Sequence, residues 1–288
     1  MRQAEKVDLG SDDWTMEIRP YASAFHFPIK ELWEYRDLLF LFVRRDFKTM
    51  YKQTILGPAW ILLSPLLTTG MFSLIFGRIA GISTDGTPAF LFYMAGNILW
   101  NYFSSCLSAA SSTFIGNAGL FGKVYFPRIV VPASSAVSTL ITFGAQFLLV
   151  LSRLCCSLGS GQVRITWLCL MTPVLLVMLA LLAIGTGMIL ASLTAKYRDL
   201  QVLVGFGIQL WMYASPIVYP LSQIPGKWRI LLSLNPVAYI VECFRYGWLG
   251  SGIVSIPNLM IGLGIILLIL FVGTVMFNKT QRNFMDTV

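Results

Sequence analysis

Residues 51–67 read YKQTILGPAWILLSPLL, and the Gly57-Pro58 pair in the middle divides two kinds of chain. Lys48 and Lys52 stand on the N-terminal side. Beyond the pair the sequence is apolar for about the length of helix that crosses a bilayer. Glycine interrupts a helix, and proline suits the first turn of the next, where its missing N–H forfeits no hydrogen bond. The stretch reads as a corner between a helix lying along a membrane and one passing through it. A basic flank that merely anchors the first span would leave the same pattern.

Hydrophobic residues make up 56% of the 288-residue chain, charged residues 12%, and the mean hydropathy is +0.73. A water-soluble domain of that composition would expose large apolar patches, so the chain reads as an all-α polytopic membrane protein. The net charge of +8 does not point to nucleic acid, because the cations flank apolar segments instead of forming a patch on a soluble domain.

Runs long enough for a membrane helix occur at 57–79, 89–112, 129–151, 165–193, 200–218 and 257–277. A seventh run, 228–249, holds Asn235, Pro236, Glu242 and Arg245. At about 2.5–3.5 kcal/mol for each charge placed mid-bilayer, it reads as an interfacial or re-entrant element. The expected organisation is a tail at 1–30, an amphipathic interface helix at 31–56 and a six-span membrane domain at 57–277. Within that domain a re-entrant region falls at about 220–250, and 278–288 form a second tail.

With the N-terminus in the cytoplasm, fifteen of the 21 lysines and arginines fall on the cytoplasmic side and six outside. The positive-inside rule therefore places both termini in the cytoplasm. The first 30 residues are too polar for a cleaved signal peptide. In the segment before Gly57, helical spacing gathers Leu32, Tyr35, Leu39, Phe42, Phe47 and Met50 on one face. Glu34, Arg44, Arg45, Lys48 and Lys52 fall largely elsewhere, as expected for an interface helix.

Several motifs in this order resemble the membrane subunit of bacterial type-2 ABC exporters for O-antigen and related cell-surface polysaccharides. They are YKQTILGPAWILLSPLL, the stretch from FGRIAGIS through NAGLFGKVYFPRIVVP, AKYRDLQ, WMYASPIVYPLSQIP and LNPVAYIVECFRYGWLG. The resemblance runs from about Arg36 to Phe277 and leaves 1–30 outside. It implies a homodimer of six-helix subunits in the inner membrane, joined to two copies of an ABC ATPase that binds ATP and Mg, with no cofactor on this chain. The substrate would be a lipid-linked glycan carried to the outer side of that membrane. Teichoic acid, capsule or another lipid are alternative cargoes.

The residues independently require an outside energy source. The nearest approach to a phosphate-binding loop is Gly122-Lys123, where Asn117 occupies the first glycine position and Val124 the hydroxyl position. A gradient-driven carrier would place ionisable groups within its spans, yet the acids after Asp46 are only Asp85, Asp199, Glu242 and Asp286, none central in a span. A membrane glycosyltransferase or acyltransferase needs positioned acid, base or nucleophile, and the sole histidine, His26, lies outside the membrane region. Cys106, Cys155, Cys156, Cys169 and Cys243 have no metal-ligand spacing.

The resemblance assigns roles to four groups of residues. The loop NAGLFGKVYFPR would couple to the ATPase through Leu120, Phe121, Val124 and Phe126, oriented by Lys123 and Arg128; read without the family, it is a basic loop. Arg44, Arg45, Lys48, Tyr51 and Lys52 lie on the gate helix, whose cations could meet a lipid pyrophosphate. Phe72, Phe76, Trp211, Tyr213 and Tyr219 fall on or beside the path-lining spans, where aromatic faces suit sliding sugar rings; helix packing and an interfacial belt also use aromatics. Glu242 and Arg245, three residues apart, are either an ion pair that eases burial or a cap on the exit.

Overall fold

The computed structural model of the chain describes residues 29–51, 57–124, 126–159 and 163–284, and all regular structure among them is helical. His26, Lys52, the 1–28 part of the first tail and the 285–288 part of the second lie outside the described residues.

The interface segment is two helices, α1 (Ile29–Glu34) and α2 (Arg36–Tyr51), offset at Tyr35, where one continuous helix is expected; its 52–56 part lies outside the described residues. Leu32, Tyr35, Leu38, Leu39, Phe42 and Val43 face the rest of the chain, at the 3–4 spacing of a helical stripe. Phe47 leaves the expected inner face: Trp33, Phe40 and Phe47, spaced by seven, are exposed on the other side.

The Gly57-Pro58 pair opens the first apolar helix. Gly57 takes φ +51°, open to glycine and strained for most other residues, and a 3-10 turn over Gly57–Ala59 leads into α3 (Trp60–Phe72). A wider π turn, Ser73–Ile79, continues this helix. Pro65 lies inside α3 and cannot donate to the carbonyl of Ile61; the amide of Gln146, from the third long helix, donates to that oxygen at 3.3 Å.

α4 (Ala89–Ser111) is the central helix, with 16 of its 23 residues buried. Two single-turn helices follow, α5 (Thr113–Gly116) and α6 (Ala118–Phe121). α7 (Val130–Leu158) packs along α2 and α4; a 3-10 segment then leads into α8 (Thr172–Lys196) and α9 (Leu200–Tyr213). α10 (Gly226–Ser233), α11 (Pro236–Leu249) and α12 (Ile256–Phe284) complete the chain. Gly185 and Gly273 bring α8 and α12 together so closely that a methyl group on Gly273 would strike the carbonyl of Gly185.

Four helical stretches among the described residues are long and apolar enough to cross a membrane: Gly57–Ile79, Val130–Ser157, Trp167–Lys196 and Ile256–Gln281. α4 has the length, but Asn97, Asn101 and its serines dilute its hydropathy. α9 has 14 residues, about 21 Å of helix against a hydrocarbon layer of about 30 Å. The expected run to residue 218 stops at Tyr213, because Pro216 has no N–H to give a continuing helix and disfavours helical geometry in Ser215. Charges that bounded the apolar runs do not bound the helices: α7 continues past Arg153 and α12 past Lys279.

Candidate substrate groove and its anchors

α3, α4 and α9 line a cavity of about 390 Å3. Each helix contributes a stripe at helical spacing: Thr68 and Phe72 from α3; Asn97, Asn101 and Ser104 from α4; Gly205, Gln209 and Met212 from α9. Trp100 and Tyr213 add aromatic surface. Asn97 is buried, and its amide approaches the Pro65 carbonyl at 3.5 Å and Thr69 Oγ1 at 3.4 Å, so long contacts leave it capacity toward the cavity. The lining of the groove offers neutral amides, hydroxyls and aromatic faces, groups suited to contact with a neutral polar molecule. No metal-ligating cluster occurs among the described residues.

The five aromatic residues expected on the path are divided among three places. Phe72 and Tyr213 line the groove, and Phe76 packs edge-on against Phe72 at 5.7 Å. Tyr219 donates its hydroxyl to the Tyr213 carbonyl at 3.0 Å. Trp211 is turned to the opposite side of α9, against Phe103 at 5.1 Å, and its indole donates to Asn235 Oδ1 at 3.2 Å. Asn97, Asn101, Ser104 and Gln209 also line the groove, where the sequence pattern points only to aromatic side chains. The available signal was uncharged amides four apart in an apolar run.

Glu242 and Arg245 are wholly buried, with Arg245 Nη1 3.5 Å from Glu242 Oε1. They form the expected intrahelical pair and also tie down neighbouring backbone. Arg245 donates to the carbonyls of Pro216 at 2.6 Å and Ile217 at 2.7 Å, and its guanidinium lies 3.7 Å over the Phe92 ring. Glu242 accepts from the N–H groups of Leu221 at 3.3 Å and Ile253 at 3.0 Å. Asn235 caps α11 by accepting from Val237 N–H at 3.2 Å and reaches the end of α9 by donating to the Ala214 carbonyl at 3.1 Å. Three side chains of one region thus hold the 214–221 turn, which ends α9.

At the other end of the bundle, the loop after α6 is divided by burial. Phe121, Phe126 and Arg128, expected to face a partner, point into the chain, where they meet Phe42 of α2 and Phe114. Arg128 lies 5.0 Å over the Phe121 ring and donates to the Gln281 carbonyl at 3.2 Å. The cause is local amphipathicity: Leu120 is half-buried and Lys123 and Val124 are exposed, so the turn turns its alternate side outward. On α2, Arg44 and Lys48 are exposed; Arg45 pairs with Asp46 at 2.8 Å and covers Phe42. α2 is described as far as Tyr51, whose side chain lies outside the described set.

Apolar helices of spanning length, wrapped around a buried helix that carries amides toward a groove, define a polytopic helical membrane protein with the features of a transport subunit. Residues 37–249 match the family described as ABC-2 type transporter, and the chain belongs to that family. It is 27% identical over 262 residues to the O-antigen export system permease protein RfbA of Myxococcus xanthus, covering 90% of this chain and 98% of the relative. It is 29% identical over 256 residues to the protein of the same description from Klebsiella pneumoniae, covering 87% and 94%. The polysialic acid transport protein KpsM of Escherichia coli is 25% identical over 260 residues, with 85% and 93% covered.

Proposed function

We propose that the chain is the membrane channel subunit of an ATP-driven exporter that moves a lipid-linked, O-antigen-like polysaccharide from the cytoplasmic to the outer side of the bacterial inner membrane. The observation that carries this is the α3–α4–α9 groove, with neutral hydrogen-bonding groups and aromatic faces inside otherwise apolar helices. Weak, repeated contacts of this kind let successive sugars pass, whereas a charged site would hold one of them. The names of the relatives support a polysaccharide as cargo.

In this proposal two copies of the chain assemble with two ABC ATPase subunits, which bind ATP and Mg. α3, α4, α7, α8, α9 with its following turn, and α12 make six crossings. α1 and α2 form the gate helix at the cytoplasmic face, the proposed tails 1–30 and 278–288 lie on that same side with residues 29–30 already in α1 and 278–284 still in α12, and the region at about 220–250 dips in from outside. Lys123, Val124 and Leu120 meet the ATPase, while Phe121, Phe126 and Arg128 support that loop from within. Glu242 and Arg245 hold the exit end.

The crossing count is tested by impermeant thiol labelling of intact cells in a cysteine-free background. Cysteines at Ser83 and Gly226 label and one at Gly119 does not; labelling of Gly119→Cys from outside overturns the topology. The groove is tested by Phe72→Ala, Gln209→Ala and Tyr213→Ala at matched expression. Surface polysaccharide falls and cytoplasmic glycolipid accumulates, while ATPase copurification is retained; export at the parental rate by all three overturns the path.

A further inference from the structure

The face of α9 opposite the groove borders a second cavity, of about 400 Å3, between α4, α8 and α9. Its walls include Leu107, Ile189, Leu193, Leu203 and Val204, and it ends at Trp211. The only hydroxyls among its lining residues, Thr186 and Thr194, are committed to the main chain: Thr186 donates to the Leu182 carbonyl at 2.6 Å and Thr194 to the Ser111 carbonyl at 3.1 Å. Nothing in the wall calls for a polar occupant. From Leu200 to Trp211 the cleft follows α9 for about 16 Å, roughly half the hydrocarbon thickness.

The cleft reaches Leu193, Thr194 and Leu200, on either side of the turn from α8 to α9, and that turn carries Lys196 and Arg198. Both are exposed, neither makes an ion pair with a carboxylate among the described residues, and Lys196 lies 5.1 Å over the Tyr197 ring. Two cations on the turn beside a hydrocarbon-walled cleft complement a phosphate joined to a long apolar chain. Ile208 lines both this cleft and the polar groove, so a single helix separates them.

We infer that the α4–α8–α9 cleft holds the hydrocarbon tail of the phosphate-bearing lipid carrier, with Lys196 and Arg198 at its phosphate, while the attached glycan enters the groove on the other face of α9. This rests on the proposed export of a lipid-linked glycan. Gly207 lines the cleft and Gly205 the groove, and a Cβ at either position meets no atom within 4 Å. Leucine at each therefore fills one space without a clash at its first carbon.

The test places a photoreactive benzoylphenylalanine at Leu203 in the purified complex with its ATPase. The complex is reconstituted in nanodiscs holding equal amounts of a polyprenyl phosphate and phosphatidylglycerol, and adducts are identified by mass. The polyprenyl phosphate adduct dominates. It falls at least about tenfold in Lys196→Gln/Arg198→Gln, which removes both charge-assisted contacts, and is lost in Gly207→Leu but retained in Gly205→Leu. Dominance of phosphatidylglycerol, a cross-link to the second copy, or no adduct overturns the inference. If Gly205→Leu also stops export while the adduct fails, the tail site alone is wrong; if the adduct forms and Gly205→Leu exports normally, the glycan path is wrong.

Discussion

α9 and α11 are neighbouring helices of 14 residues each, yet α11 buries twelve of them and α9 only Val204. Their sequences suggest the reverse, since α9 has no charge and α11 contains Glu242 and Arg245. A bilayer explains the inversion. Apolar side chains such as Val202 and Phe206 lose nothing by facing lipid, whereas a charged pair must find partners within the protein. α11 is therefore the fixed part of this end of the molecule. α9 is fastened mainly at its C-terminal turn and lies between two open spaces, an arrangement that fits the proposed export path.

Removing the charge from the fixed helix has the largest expected effect. Arg245→Ala leaves Glu242 buried beside unsatisfied carbonyls, at a cost of about 3–5 kcal/mol, and the assembled complex is lost from membranes. Phe206→Ala on α9 leaves its level near parental. Equal levels for the two variants would break the contrast between the helices.

A smaller change sharpens it. Gly96 gives the guanidinium of Arg245 its place, because a Cβ there would stand 2.6 Å from Nη2. Gly96→Ala is expected to destabilise by about 1–3 kcal/mol, measured as a lower melting temperature of the purified complex. Gly205→Ala, with open space around it, is neutral or stabilising by up to about 1 kcal/mol through helix propensity. Trp211→Phe removes the hydrogen bond that joins α9 to Asn235 and costs about 0.5–1.5 kcal/mol by the same measurement.

The smallest effect on stability is expected at the exposed loop tip. Val124→Asp leaves melting unchanged but reduces ATPase copurification, since the charge would have to be desolvated at the contact. Phe121→Asp instead lowers the level of the chain itself, because Phe121 is packed against Phe114 and Phe126. Normal copurification of Val124→Asp would remove this loop tip as the coupling surface.

The start of the first apolar helix at Gly57-Pro58 and the long apolar helices are legible because each follows from a local rule: a glycine in a left-handed conformation, a proline in a first turn, an uncharged run of spanning length. The division of the 228–249 run into two shorter helices likewise follows from its Asn235-Pro236 pair. What was not legible depends on which neighbours a side chain finds. Phe47 and Phe121 have the hydrophobicity of contact residues, but the packing of α2 on α7 turns one outward, and the cluster around Phe42 draws the other inward. The groove escaped notice for another reason. Its amides are neutral, and three short periodic stripes become one site only when α3, α4 and α9 meet.

The most direct measurement places a photoreactive benzoylphenylalanine at Tyr213 or at Trp211 in complexes whose ATPase is blocked in hydrolysis while a glycan is being exported. Cross-linked polysaccharide is then detected on the chain. The account predicts glycan adducts from position 213, in the polar groove, and none from position 211, on the apolar side of α9. Adducts from 211 with none from 213 would contradict it.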